Sequence, residues 1–423
     1  MFQGNAIVGQ SGGPTCVINS SLCGVVQGCF ELGQKNADSK IDKVLGMKYG
    51  VEGLMKGELL DFGQIDSAKI EALKSTPGSA LGSCRHKLSD ADLPIILEQL
   101  KKYNIRYYFL AGGNDTMDTI CRIEKYCKEQ GYDLRGIGVP KTVDNDLFAT
   151  DHTPGFGSAA RYMALSVKQA GVLARDMKRV DQFVVFQTIG RDAGWLAAAT
   201  ACGKVDEEDA PHIILVPEIP FEFEKFIKKA QEAYDKYGYV SVVCGEGIRC
   251  APKADGTKGS VVSSLDADGN DVQTSQTVDK FGNQELGAMG GASVAFALHR
   301  MLSKHLKRAD GQPCRGEFQI TESLPMSCAD RATALDIEEA WNCGRRAVEL
   351  AVGGTSGVMV TMNRVSTKPY KIEYGTAPLN DVAVRDREMP LEYVDAENLF
   401  VTKECVEYLR PLVGEMPEYV KLF

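Results

Sequence analysis

Residues 105–146 read IRYYFLAGGNDTMDTICRIEKYCKEQGYDLRGIGVPKTVDND and contain two short apolar runs, each ending in a polar loop. The runs are aliphatic and aromatic and too short for helices, which predicts buried strands of a parallel sheet. Open α/β sheets bind ligands at the loops that follow such strands. The loop GGNDT offers backbone that can approach a phosphate closely, and the loop PKTVDND sets Lys141 beside Asp144 and Asp146. Together the two loops indicate a shared site for phosphoryl transfer.

The length and charge of the chain limit the number of domains and the kinds of partner that it can have. With 423 residues, 44% of them hydrophobic, it is long enough for two domains, because single cores stop growing at roughly 250–300 residues. The 48 Lys and Arg against 57 Asp and Glu give a net charge of −9, which argues against nucleic acid as the main partner. The chain starts without a leader pattern, and no apolar run approaches the roughly 18 residues of a membrane span. We therefore expect a cytoplasmic protein with no membrane partner.

A further glycine loop follows the apolar run AIVG at 6–9. It reads QSGGPT and precedes a helix-compatible stretch, an order in which backbone amides and a helix N-terminus can face an anion. The loop is not the dinucleotide fingerprint GxGxxG, and the chain contains no GxxxxGK[ST], so neither a nicotinamide enzyme nor a P-loop NTPase is indicated. A structural turn would explain Gly12 and Gly13 equally well, and Arg85 taken alone is interpreted as a surface charge.

Glycine and charge loops recur after later apolar runs. The run at 182–187 ends in TIGRDAG, and the run at 240–244 ends in GEG. Strands that alternate with helices predict a doubly wound α/β fold. Helices are predicted at 158–178, 290–306 and 336–350. The last predicted strand, 357–362, precedes a polar C-terminal part.

Taken together, the loops resemble the phosphofructokinase superfamily, and most closely its pyrophosphate-dependent branch. The resemblance covers nearly the whole chain, and PKTVDND is its most specific motif. The other motifs follow in the family's order: QSGGP, GGNDT, TDHTPGFGSAARY, IGRDAGWLAAA, GEG and TKPY. The resemblance implies two Rossmann-like, doubly wound α/β domains with the active site in the cleft between them, assembled as a homodimer or homotetramer.

The resemblance also implies how the domains divide the substrates, all of them small molecules. Residues 1–150, completed by part of 290–350, would bind pyrophosphate as the phosphoryl donor. Residues 151–290, completed by 351–423, would bind the acceptor. Mg²⁺ would be the cofactor.

Residue roles follow from the resemblance position by position. Asp144 would be the base that takes the proton from the acceptor hydroxyl. Asp146 and Asn114 would hold Mg²⁺. Lys141, Arg191 and Thr142 would complete the catalytic group, with Arg191 and Thr142 neutralising and orienting the transferring phosphoryl group. The donor-binding residues would be Gly12, Gly13, Arg85, Gly113, Asp115 and Lys141. The acceptor-binding residues would be Thr142, Asp144, Ile189, Gly190, Arg191, Glu246, Ser323 and Met326.

Two positions are expected to decide the donor. Relatives that use ATP have glycine at the positions of Asp115 and Lys141. A carboxylate at Asp115 would repel the α-phosphate of a nucleotide and fill the space it needs, and Lys141 would supply a cation for the free end of pyrophosphate. Both differences favour pyrophosphate over ATP.

Several positions depart from the family pattern. The family's first magnesium aspartate is Asn114 here, an oxygen ligand without charge. The aromatic residue and the arginine that grip the phosphate of fructose 6-phosphate align with Ser323 and Met326, and the position that reaches across the subunit boundary is Gln182. A lost hydrogen bond to a charged group costs roughly 1.5–3 kcal/mol. Weak binding of fructose 6-phosphate is therefore expected.

Three hypotheses follow. The first is a reversible, glycolytic pyrophosphate-dependent phosphofructokinase that converts fructose 6-phosphate to fructose 1,6-bisphosphate, with other cations supplying the missing grip. The second is a pyrophosphate-dependent kinase of an unphosphorylated sugar, polyol or nucleoside. The third is a non-catalytic regulatory subunit, which the intact catalytic motif favours least. Membership of a family does not decide among them.

Overall fold

The computed structural model describes residues 2–36, 38–272 and 293–422, which form two compact units. The first unit comprises Met1–Ala159 and Met326–Arg387, and the second comprises Ala160–Pro325 and Glu388–Phe423. No helix in these described ranges combines the length and the apolar character that crossing a lipid bilayer requires.

The strands and helices alternate along much of the chain. In chain order the strands are β1 (Phe2–Gln10), β2 (Ser39–Met47), β3 (Leu59–Asp61), β4 (Ile105–Gly112), β5 (Arg135–Pro140), β6 (Phe183–Thr188), β7 (Ile213–Leu215), β8 (Val240–Gly245), β9 (Gly316–Ile320), β10 (Val358–Thr367), β11 (Tyr370–Pro378), β12 (Val394–Asp395) and β13 (Phe400–Val401). The α-helices are α1 (Ile18–Gly28), α2 (Gly50–Lys56), α3 (Ser67–Ala72), α4 (Asp92–Lys102), α5 (Asn114–Glu129), α6 (Phe156–Asp176), α7 (Trp195–Ala199), α8 (Phe223–Tyr237), α9 (Val294–His305), α10 (Ala334–Val352), α11 (Leu379–Ala383) and α12 (Lys403–Val413).

The first unit is built on a seven-stranded sheet of order β11-β10-β5-β4-β1-β2-β3. Its inner pairs are parallel, and the edge strands β3 and β11 are antiparallel to their neighbours. Successive residues of β4 enter different cores, because Tyr107 and Phe109 pack on one face while Tyr108 and Leu110 pack on the other. Helices cover both faces, which explains why the inner strands are continuous apolar runs.

The second unit contains a smaller parallel sheet of order β7-β8-β6-β9. One face packs on a core that includes Val185, Val242 and Phe226, the last contributed by α8. Leu298 and Met301 of α9 fill the same core. This sheet places the ends of β6 and β8 side by side, where the predicted acceptor loops begin.

The predicted doubly wound α/β fold is confirmed. The helix predicted at 158–178 corresponds to α6, and the helix predicted at 336–350 corresponds to α10. The helix predicted at 290–306 begins only at Val294 in the structure, and residues 290–292 lie outside the described residues.

The boundaries of the units differ from the predicted domains in the C-terminal half. We predicted that 351–423 completes the second domain, but β10 pairs with β5 through Val358 and Ile137, so 326–387 belongs to the first unit. Residues 388–423 do belong to the second. The sequence predicts only a polar C-terminal part after 362. The structure forms β11 there, which pairs with β10 along its length, and the helix α12.

Candidate active site

Three loops of the first unit meet at one edge of its sheet. They follow β1, β4 and β5, which are parallel neighbours, so their carboxyl ends lie at the same edge. Ser11 N donates to Ala111 O over 2.9 Å, and Lys141 N donates to Gly112 O over 3.2 Å. These main-chain hydrogen bonds hold the QSGGP, GGNDT and PKTVDND motifs next to one another.

The two glycines after β1 bring main chain close to two cations. Gly12 has φ +76°, and a Cβ built on it would lie 3.2 Å from Lys141 Nζ. A Cβ on Gly13 would lie 4.0 Å from Arg85 Nη2. The absence of a side chain at Gly12 leaves space beside Lys141. The Gly12 amide donates to Cys84 O over 3.1 Å, which fixes the loop that leads to Arg85.

Lys141 is only 6% exposed, and burial lowers the pKa of its ammonium from 10.5 to about 8. The carboxylates of Asp146 and Asp144 oppose this shift, and the charge of the exposed Arg85 adds to it. Two cations that repel each other beside glycine main chain form a site that an anion would stabilise.

The loop after β5 orients its two carboxylates through Thr142. Asp144 N donates to Thr142 Oγ1 over 3.1 Å, and the same hydroxyl bonds to Asp146. Burial raises the pKa of Asp146, and the negative charge of Asp386 adds to the rise. Asn145, between the two acids, has φ +59° and is completely buried, and both polar atoms of its side chain lack a hydrogen-bond partner among the described residues.

The GGNDT loop forms the start of α5. Gly113 caps the helix, and its carbonyl accepts a 3.0 Å bond from Thr116 N. Asn114 Nδ2 donates to Asp386 Oδ1 over 2.5 Å, while Asp115 is exposed in the first turn. Sequence reasoning missed Asp386, whose only mark was the charged run RDRE at 385–388.

In the second unit, the loops after β6 and β8 are joined by Glu246. Gly190, with φ +112°, donates its amide to Glu246 Oε1 over 3.2 Å. A Cβ on Gly247 would lie 1.6 Å from Arg191 O, so only glycine fits at that position. Burial raises the pKa of Glu246 to about 7, against the opposing charge of Arg191. Ile189 is buried directly before this loop.

The remaining predicted acceptor residues supply no cation. Met326 lies against the QSGGP loop, since a Cβ on Gly13 would be 3.7 Å from its Sδ. Ser323 is exposed. Gln182 is 2% exposed, and its amide is held by Lys178 O at 3.0 Å and Arg315 N at 3.1 Å, so it has no side-chain atom left to reach outward.

Of the predicted residues, the structure therefore brings Gly12, Gly13, Arg85, Gly113, Lys141 and Met326 together in the first unit. Thr142, Asp144 and Asp146 follow in the same loop as Lys141, and Asn114 and Asp115 follow Gly113. Gly190, Arg191 and Glu246 are brought together in the second unit.

Known proteins resemble the chain along almost its full length. The family described as phosphofructokinase matches residues 5–307. The pyrophosphate--fructose 6-phosphate 1-phosphotransferase of Halomonas elongata is 35% identical, and the alignment covers 98% of this chain and 92% of that protein. The sulfofructose kinase of Alkalicoccus urumqiensis is 31% identical over 93% of this chain and 92% of its own.

A solved structure agrees with these relatives. The pyrophosphate-dependent phosphofructokinase of Marinobacter aquaeolei superposes with a TM-score of 0.81 at 34% identity, covering 99% of this chain and 94% of that chain. Both the sequence and the fold are thus shared over nearly the whole length. The chain belongs to the phosphofructokinase family, and within it to the pyrophosphate-dependent branch.

Proposed function

We propose that the chain transfers a phosphoryl group from pyrophosphate to a sugar hydroxyl, with fructose 6-phosphate as the first candidate acceptor. One observation carries the proposal: the ammonium of Lys141 lies beside Gly12, and Arg85 lies beside Gly13. Lys141 belongs to the same loop as Asp144. This arrangement pairs an anion site with a carboxylate base. The first unit would bind the donor, and the Glu246 loop of the second unit would bind the acceptor.

The chemistry assigned to the residues is a single displacement at phosphorus. The acceptor oxygen forms a bond to the terminal phosphorus, the bridging P–O bond breaks, and phosphate leaves with the bonding pair. Asp144 takes the proton of the acceptor hydroxyl, and Thr142 Oγ1 fixes the main chain at Asp144 through the 3.1 Å bond. Lys141 and Arg85 hold the donor oxygens by charge-assisted hydrogen bonds, and Arg191 would steady the transferring group.

The residues at this edge of the sheet fit Mg²⁺. Asp146 and Asn114 offer a carboxylate and an amide oxygen, the hard oxygen ligands that Mg²⁺ prefers. In the same loop as Asp146, the buried side-chain amide of Asn145 has no hydrogen-bond partner among the described residues, so it has a free oxygen acceptor. When bound, the metal supplies charge neutralisation to the pyrophosphate oxygens.

The acceptor has two candidates. The name of the Halomonas elongata relative supports fructose 6-phosphate, and glycolytic, reversible turnover would follow from it. The second candidate is an acceptor without a distal phosphate, which Met326, Ser323 and the fully engaged Gln182 favour. The sulfofructose kinase name indicates that relatives of similar coverage are assigned different acceptors.

A panel of acceptors tests the proposal. Phosphate release from pyrophosphate and Mg²⁺ is measured with fructose 6-phosphate, unphosphorylated sugars, inositols and nucleosides, with ATP as the control donor. Turnover with fructose 6-phosphate supports the first candidate. Turnover only with an unphosphorylated acceptor selects the second, and silence across the panel contradicts the proposal in favour of a regulatory subunit.

The pKa of Lys141 predicts how donor affinity changes with pH. The ammonium is charged below pH 8 and loses its proton as the pH rises through about 8, so pyrophosphate binding weakens above that value. Because one proton is coupled to binding, affinity falls by up to about tenfold per pH unit. Titration of a non-transferable analogue, imidodiphosphate, against pH measures this. Lys141→Met serves as the control, since ionisation of the analogue affects both proteins alike; an equal pH response in both would contradict the assignment.

The raised pKa of Glu246 predicts an opposite pH response on the acceptor side. Its carboxylate forms as the pH rises through about 7, and only the carboxylate accepts bonds from acceptor hydroxyls at both oxygens. We expect kcat/KM for the acceptor to increase through this range. Glu246→Gln should raise the acceptor KM by roughly 10- to 150-fold, the equivalent of one charged hydrogen bond, without changing pyrophosphate affinity. An acceptor KM that does not move would remove Glu246 from the acceptor site.

A further inference from the structure

The short segment after α11 joins the two loops that would hold Mg²⁺. Arg387 N donates to Asp146 O over 2.7 Å, which attaches the segment to the loop after β5. On the other side, Asn114 Nδ2 donates to Asp386 Oδ1 over 2.5 Å and to Arg385 O over 3.1 Å. Asp386 therefore lies between the two loops.

These contacts fix the orientation of the Asn114 amide. Both neighbours of Nδ2 are oxygens that only accept, so a flipped amide would set its oxygen against two acceptors. The nitrogen must point at Asp386 and Arg385. Asn114 Oδ1, which receives no hydrogen bond from a described residue, is thereby kept available as a ligand.

Asp386 also brings a negative charge to this edge of the sheet. Asn114 is an amide, so the loop after β4 contributes no charge at that position. The charge of Asp386 acts on the neighbouring Asp146. A divalent cation between these groups would meet two formal negative charges, one from Asp146 and one from Asp386.

We propose that Asp386 is a positioning residue for the donor-side metal: it holds Asn114 by its amide nitrogen with the oxygen turned toward the metal, and it supplies the carboxylate charge that Asn114 lacks. The inference rests on the proposed pyrophosphate donor. The negative charge beside Asn114 would then come from Asp386, which lies 272 residues further along the chain. Groups that orient metal ligands typically contribute 10- to 100-fold in metal affinity.

The test compares metal-dependent with metal-free binding in the full chain. Isothermal titration measures the affinity for the Mn²⁺ complex of imidodiphosphate and for imidodiphosphate without metal. Asp386→Asn should weaken binding of the Mn²⁺ complex by about 10- to 100-fold while leaving metal-free binding unchanged. Asp381→Asn, a nearby acid without these contacts, is the matched control and should leave both affinities at the wild-type value.

The exchange variant N114D/D386N decides the role of charge. It reverses the hydrogen bond to residue 386 and keeps one carboxylate, but it sets a carboxylate oxygen at position 114 against Arg385 O, so affinity for the Mn²⁺ complex should recover part of the loss seen in D386N. Equal losses with and without metal in D386N, or no loss at all, would overturn the inference, as would an exchange variant no better than D386N. Tight binding of the Mn²⁺ complex by a protein that phosphorylates no acceptor would instead refute the proposed function and leave the role of Asp386 standing.

Discussion

Asp144→Asn is expected to lower kcat for phosphoryl transfer by about 10²–10⁴-fold with every acceptor, because the base that accepts the hydroxyl proton is lost. The substitution keeps the size of the side chain. It also keeps the 3.1 Å bond from the Asp144 main-chain amide to Thr142 Oγ1, so the loop should retain its shape. Affinity for imidodiphosphate should therefore stay close to that of the wild type, and the loss should appear in kcat.

The measurement is single-turnover phosphate release with saturating acceptor, together with analogue binding by titration. Asp118→Asn is the matched control, since Asp118 is a carboxylate on α5 whose ion-pair partner, Arg122, lies outside the site. Turnover that survives in D144N would remove Asp144 as the base. Loss of analogue binding together with turnover would show that Asp144 organises the loop, and the assignment of proton transfer would then be wrong.

The inner strands could be predicted because burial on both faces leaves a continuous apolar run in the sequence. β4 and β5 satisfy this condition, and β1 does so from residue 6 onward. β11 does not: it is an antiparallel edge strand in which every residue but Ala377 is exposed or half-buried, so its sequence resembles a polar segment. α12 contains Pro411, which breaks a helical pattern although five of its residues are buried. β11 was therefore missed because of its place at the edge of the sheet, and α12 because Pro411 interrupts its helical pattern.

The site was predictable to the extent that topology implies it. Parallel neighbours end at one edge, so the nearness of Lys141 to Gly12 follows from strand order once the loops are recognised. Arg85 could not be assigned from its own loop, because an exposed arginine has no local signature of the glycine it approaches. Asp386 is further from any pattern, since its hydrogen bond to Asn114 depends on how the chain returns to the sheet after β11. Pairings of this kind are set by tertiary structure alone.

The double variant Asp115→Gly/Lys141→Gly is expected to exchange pyrophosphate for ATP as the preferred donor. Lys141 is the buried cation beside Gly12, and its removal takes away charged hydrogen bonds worth roughly 1.5–3 kcal/mol in pyrophosphate binding. Asp115 is exposed at the start of α5, and a like charge facing a nucleotide phosphate costs several kcal/mol. Removing both should change the ratio of kcat/KM for the two donors by on the order of 10³-fold, which corresponds to about 4 kcal/mol.

The single variants separate the two contributions. Asp115→Gly should admit ATP while pyrophosphate remains a substrate, and Lys141→Gly should weaken pyrophosphate without admitting ATP, because Asp115 still opposes the nucleotide. Glycine at position 115 costs up to about 1 kcal/mol of helix stability, and the space left at 141 adds to it, so thermal unfolding must show that each protein is folded. Lys141→Met, which keeps the buried stem and removes only the charge, is the control for that space. Should ATP remain inactive in the folded double variant while pyrophosphate activity falls, the carboxylate of Asp115 would not be the barrier, and exclusion of ATP would have to come from the shape of the pocket beyond these two positions.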